Sequence, residues 1–84
     1  MKLRLTPAAA EDLTYWQASD ADMARKVERL LQQLPLMSLF PRHRVTPLLL
    51  PNMQLLSVTI SLEHRLVFEC HGDEIIVHQC RYHY

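Results

Sequence analysis

Four of the five prolines in this 84-residue chain, Pro35, Pro41, Pro47 and Pro51, fall in one stretch, and that stretch divides what the rest can become. A proline fixes φ and lacks the backbone N–H, so no helix runs through such a segment and a strand within it is confined to a sheet edge. Residues 35–53 are therefore read as loop, with at most an edge strand around Val45–Leu50. Helical periodicity lies before this stretch, and β-rich runs lie after it.

The first residues, MKLRLT, alternate Leu3 and Leu5 with Lys2 and Arg4, the period of a strand with one buried face. Thr6 then offers an N-cap oxygen, and Pro7 has the dihedral favoured at the first helical position. A first helix is predicted from about Pro7 to Ala18. Its Ala9, Leu13 and Trp16 share one face, and Glu11 and Asp12 lie near its positive N-terminal end. Ser19 with Asp22 resembles a capping box at the start of a second helix. That helix carries Met23, Val27, Leu30, Leu31 and Leu34 as a core-facing stripe, and Pro35 closes it.

Three β-rich runs follow: Gln54–Ile60, His64–Cys70 and Glu74 to about Tyr82. His71, Gly72 and Asp73 between the last two are a hairpin signal. The order β-α-α-β-β-β gives an α+β fold, an antiparallel sheet with two N-terminal helices packed on one face. If Cys70 pairs with Ile75 across the turn, Leu66, Phe68, Cys70, Ile75 and Val77 form the core face. Arg65, Val67, Glu69, Ile76, His78 and Cys80 form the other, which is polar enough to be the working surface. Strict alternation sends His83 to the core side, so His83 can work with Arg65 only if the last strand bulges or ends before it.

The length fits a single domain over residues 1–84, with a small core. Lys plus Arg and Asp plus Glu both number nine, so no global field draws in nucleic acid, but the charges are unevenly placed. From Arg29 through Leu62 there are Arg29, Arg42, His43 and Arg44 and no acidic residue at all. A neutral chain can thus present one positive face. The N-terminus lacks the apolar core of a signal peptide, and two cysteines are too few for a secreted disulfide scaffold, so a cytoplasmic protein is expected.

Five histidines and two cysteines invite a metal site, but the pairs have the wrong spacing for zinc, and no metal or cofactor is expected. Cys80 as a nucleophile would need a base and an electropositive pocket; a small buried hydrophobe is the simpler reading. A stronger constellation sits where two strands end. His64 and Arg65 begin one strand, while Arg81 and His83 finish its neighbour beside Tyr82 and Tyr84. RNA cleavage by the 2′-hydroxyl needs a cation for the charge on phosphorus and an acid for the 5′ leaving oxygen. Arg supplies the first and His the second. Tyrosine rings can stack on unpaired bases. Taken alone, this signal is weak, and a His beside two Tyr is more often surface decoration.

Glu63-His64-Arg65-Leu66-Val67-Phe68 and the terminal Cys80-Arg81-Tyr82-His83-Tyr84 resemble the two signature segments of the YoeB/Txe toxins of the RelE/ParE superfamily. Met1-Lys2-Leu3, Tyr15-Trp16-Gln17, Pro47-Leu48 and Ile60 fall where that family has them. The resemblance implies the toxin of a type II toxin–antitoxin pair, a ribosome-dependent mRNA endoribonuclease that acts in the ribosomal A site. It further implies that Arg65 stabilises the scissile phosphate, His83 is the general acid and Tyr84 positions the reacting groups. Arg44, Arg81 and Tyr82 are the expected RNA contacts. A YefM-like antitoxin is the implied partner, and a homodimer is common in such proteins.

The chain also departs from the family's pattern. Where the family reads Lys-Pro-Glu-Pro-Leu, this sequence has Arg44-Val45-Thr46-Pro47-Leu48, so Thr46 stands at the position of the general base. Losing a positioned base typically costs about 10²–10⁴ in rate. The family's Trp-Ser-Arg-Arg-Ile is here Leu56-Ser57-Val58-Thr59-Ile60, and Leu49 replaces a basic residue. Two readings follow: an enzyme that works through Arg65 and His83 with His43 or His64 standing in as base, or a weakened module that binds antitoxin or ribosome with little cleavage.

Overall fold

The computed structural model describes residues 2–35, 45–50 and 53–81, with backbone alone for 45–50, 53 and 54. Strand β1 (Lys2–Leu5) leads into helices α1 (Pro7–Ser19) and α2 (Ala21–Gln33), and strands β2 (Val45–Leu50), β3 (Met53–Thr59), β4 (Arg65–His71) and β5 (Glu74–Gln79) follow. The sheet has five strands in the order β1-β5-β4-β3-β2. The α+β architecture is the expected one: β2 to β5 form antiparallel neighbours and the helices supply the other layer of the core.

Two features extend the expectation. Strand β1 pairs in parallel with β5, Leu3 opposite Ile75 and Leu5 opposite Val77, so the sheet is mixed. A parallel partner is reached only by a long crossover, here the whole two-helix segment and the three strands that follow. The proline-rich stretch does contribute a strand, at the sheet edge as its composition requires, with Pro47 opposite Leu56.

Both helix starts are fixed by side-chain oxygens. The Thr6 hydroxyl accepts from the Ala9 N–H at 3.2 Å and donates to the His78 carbonyl at 3.3 Å, so one group caps α1 and ties it to β5. At α2 the cap is Asp20 rather than the expected Ser19, because α1 continues through Ser19. The Asp20 carboxylate accepts from the Met23 N–H at 3.2 Å.

The stripe of α2 is buried as its spacing predicts, and Leu34 just beyond its end is buried with it. It packs with Ala9 and Trp16 of α1 over Leu66, Phe68, Ile75 and Val77 of the sheet. Among the described residues the outer sheet face has a small apolar contact, Leu55 with Val67. No helix among the described residues is long and apolar enough to cross a membrane.

The β4–β5 hairpin turns at Gly72 and Asp73, with His71 opposite Glu74. Gly72 has a φ of +62°, and a Cβ built there meets nothing within 4 Å. The penalty of a side chain at this position is therefore one of backbone conformation alone. Gly72→Ala is expected to lower the unfolding free energy by about 1 kcal/mol and Gly72→Asn by less, read from the midpoints of urea denaturation at unchanged slope.

Candidate functional site

Arg65 opens β4 directly opposite Thr59, the last residue of β3. Its Nε donates to the Ser57 hydroxyl at 3.0 Å and its Nη1 donates to the Thr59 hydroxyl at 3.1 Å. Residues 57 and 59 lie on the same face of β3 because side chains alternate along a strand. The two bonds use two of the five N–H donors of the guanidinium and fix the plane of the fork. Ser57 is fully buried, and the bond from Arg65 satisfies its oxygen.

The register also locates the position expected to hold a base. Thr46 pairs with Ser57, which pairs with Val67, which pairs with Gln79, so these four positions form one row across the sheet. Arg65 and Thr59 occupy the next row on the same face, two residues further along the strands. Position 46 therefore lies two strands from Arg65, about 10 Å across the sheet.

A β-bulge decides which way the end of β5 faces. Phe68 is opposite Val77, but Val67 is opposite Gln79, so His78 is an extra residue in β5. The His78 Nε2 lies 2.7 Å from the Glu69 Oε1, across from the bulge. Inserting one residue reverses the parity of everything after it. Strict alternation puts Cys80 beside Arg65 on the working face; it is instead fully buried in the core, and the expectation that the two cysteines point to opposite faces is corrected with it. Strand β5 also ends at Gln79 rather than near Tyr82. The sequence sets a bulge or an early end as the condition for His83 to join Arg65, and β5 has both.

Helix α1 then holds the chain where β5 stops. The Cys80 N–H donates to the Asp12 Oδ2 at 3.1 Å, and the Cys80 carbonyl accepts from the Trp16 Nε1 at 2.9 Å. One residue on, the Arg81 guanidinium lies 3.8 Å from the centre of the Tyr15 ring, a cation–π contact. The Trp16 ring also meets the His64 ring edge to face, with centres 4.7 Å apart. Trp16 thus touches both the residue that precedes Arg65 and the segment that leads to the C-terminus.

Sequence reasoning places Trp16 in the core and Asp12 at the helix dipole, and it misses this grip. The signal is the spacing of Asp12, Tyr15 and Trp16, which puts a carboxylate and two aromatic rings on adjoining parts of one face. Ser57 and Thr59, which sequence reasoning does not connect to Arg65, are its hydrogen-bond partners. The His64 ring is engaged with Trp16, while the Arg65 side chain bonds to Ser57 and Thr59. Tyr82, His83, Tyr84, His43 and Arg44 lie outside the described residues, as does the side chain of Thr46.

Neither thiol is suited to nucleophilic chemistry at neutral pH. Burial, with the Asp12 carboxylate adding to it, pushes Cys80 up to about 12 from an ordinary 9.0. Burial and then Glu69 raise Cys70 as well. Both carry thiols rather than a disulfide.

Comparison with known proteins gives a consistent picture. The family described as YoeB-like toxin of bacterial type II toxin-antitoxin system matches residues 5–84. The chain is 30% identical to toxin YoeB of Escherichia coli strain K12 over 84 residues, the whole of both proteins. It is similar to the YoeB dimer structure from Staphylococcus aureus at 30% identity and a TM-score of 0.84, covering 100% of this chain and 98% of that one. A heterotetrameric YoeB–YefM toxin–antitoxin complex from the same organism matches at 29% identity and a TM-score of 0.82, with the same coverage.

The Cys80 environment has a measurable consequence. Its proton is held more tightly in the folded state than in the unfolded one, so its contribution to stability is complete below about pH 9 and is lost as pH rises towards 12. Thermal unfolding followed between pH 8 and 11 should show an alkaline decline that is shallower in Cys80→Ala. In the native protein at pH 8, a thiol reagent should modify Cys70 first and Cys80 only on unfolding.

Proposed function

Given that the chain belongs to the YoeB-like toxins of bacterial type II toxin–antitoxin systems, we propose that it inhibits translation as a ribosome-dependent mRNA endoribonuclease. The observation that carries this reading is the fixed guanidinium of Arg65, held by Ser57 and Thr59 at the end of the sheet where the Cys80–Arg81 segment arrives. A planar cation locked in this way is suited to a phosphate whose charge grows during reaction.

The reaction is attack of a 2′-hydroxyl oxygen on the adjacent phosphorus. An O2′–P bond forms, the P–O5′ bond breaks, and the products are a 2′,3′-cyclic phosphate and a 5′-hydroxyl. Arg65 stabilises the charge on the phosphorane oxygens, and His83 as imidazolium gives its proton to the departing O5′. Tyr84 positions the reacting groups, and Arg44, Arg81 and Tyr82 bind the message. The 2′-hydroxyl proton needs an acceptor, and Thr46 at the base position has no carboxylate to offer. With its ring packed on Trp16, His64 is poorly disposed for that role, which leaves His43 as the candidate named from sequence.

The partner in this reading is a YefM-like antitoxin that covers the site, as the S. aureus complex joins a YoeB to a YefM. The YoeB dimer from that organism supports a homodimer as one assembly of this chain, with the cytoplasm as its compartment. The threonine at position 46 favours a second reading, a module that binds antitoxin or ribosome but cleaves weakly.

Induction in a bacterial host without antitoxin, with mapping of message ends, separates the two. Cleavage that falls by about 10²–10⁴ in His83→Ala and by about 10²–10³ in Arg65→Gln supports the enzyme. Cleavage equal in wild type and His83→Ala removes His83 from the mechanism. Cleavage absent in wild type and present in Thr46→Glu identifies the weakened module.

A further inference from the structure

We propose that the cleft between α2 and the end of β3 is a second nucleic-acid site, which takes the sugar–phosphate backbone of single-stranded RNA beside Arg65. The inference deepens the ribonuclease reading and rests on it for the identity of the ligand. The cleft has a volume of about 380 Å³ and is lined by Lys26, Arg29, Leu30, Gln33, Thr59 and Ile60.

Its chemistry is that of a phosphate contact. Lys26 and Arg29 stand on one face of α2 a turn apart, both exposed, and neither forms an ion pair among the described residues. The acids of the same helix are engaged elsewhere, Asp22 with Arg25 and Glu28 with Gln17 of α1. From Arg29 to Leu62 the sequence has no carboxylate to neutralise the cleft. Gln33 adds an amide donor, while Leu30 and Ile60 form an apolar, largely buried floor. Among the described residues no aromatic ring lines the cleft, and its cations and amide suit the sugar–phosphate backbone rather than a stacked base.

Thr59 joins this cleft to the candidate active site. It is a lining residue, and its hydroxyl also accepts the bond from Arg65. In this proposal an RNA strand that places one phosphate at Arg65 continues past Thr59 towards Arg29 and Lys26. The positive charge absent from β3, where Val58 and Thr59 replace two arginines of the family's pattern, is in effect supplied by α2.

The test uses the full chain and a fluorescein-labelled RNA of about twelve nucleotides with methylated 2′-hydroxyls, which binds but is not cut. Anisotropy is measured over a salt series for wild type, for Lys26→Gln with Arg29→Gln, and for Lys2→Gln with Arg25→Gln, which removes the same charge elsewhere. The cleft variant should bind about tenfold more weakly, with a log–log salt slope smaller by about 1.4, the share of two phosphate contacts on a single strand. The control variant should stay near wild type.

A parallel titration with ribosomes carrying or lacking message tells a message strand from ribosomal RNA as the source of the phosphates. Equal losses in both variants, wild-type binding by the cleft variant, or no binding of either RNA by wild type overturns the proposal. So does a cleft variant that keeps RNA binding and loses only an acidic antitoxin peptide. If wild type binds through the cleft yet never cleaves message, the ribonuclease reading fails and the cleft stands. If wild type cleaves and the cleft variant matches it in binding and cleavage, the cleft alone fails.

Discussion

The backbone of Cys80 is gripped at both its N–H and its carbonyl by side chains of one helix, and the candidate site depends on that grip. A hydrogen bond to a carboxylate, as from Cys80 to Asp12, contributes about 1.5–3 kcal/mol, and the bond from the Trp16 indole adds about 1 kcal/mol. Chain ends fray unless something ties them down. Here the tie falls at residue 80, one residue past the last strand, and holds Cys80 and Arg81 against α1. The bulge at His78 makes the grip possible, because without the extra residue Cys80 would face away from α1.

Trp16 couples the two halves of the site. Its indole N–H holds Cys80, its ring packs on His64, and it is itself almost fully buried among the helices and sheet. The spacing between Arg65 and the C-terminal segment is thus set by a rigid core residue rather than by flexible surface contacts. Arg65 is fixed from its other side by Ser57 and Thr59. Both hydroxyls are neutral, so they orient the guanidinium without cancelling its charge. Thr59 thus serves as a brace for Arg65.

Much of this framework is legible in the amino-acid sequence. Alternation in MKLRLT, the Thr6-Pro7 start and the Met23-to-Leu34 stripe mark the type and limits of the early elements, because those signals are local. Arg65 is legible as a candidate because the sequence sets the head of its strand beside the end of the neighbouring one and because it lies in a signature segment. The facing of Cys80 is not legible, since a bulge leaves no mark in a run such as Glu74–Tyr82 where either parity buries apolar residues. The start of α2 is ambiguous by one residue because Ser19 and Asp20 are both good caps, and only the exit of α1 chooses between them.

Sequence by itself determined the elements, their order, the confinement of the proline-rich stretch to a sheet edge and the family resemblance of the two signature segments. Those properties reside in spacing along the chain. Tertiary structure alone decided that β1 lies parallel to β5, that Asp12 and Trp16 hold residue 80, and that Ser57 and Thr59 brace Arg65. Each of these joins residues of different elements, several of them far apart in sequence. Their geometry follows from how the helices and strands pack, which no local pattern encodes.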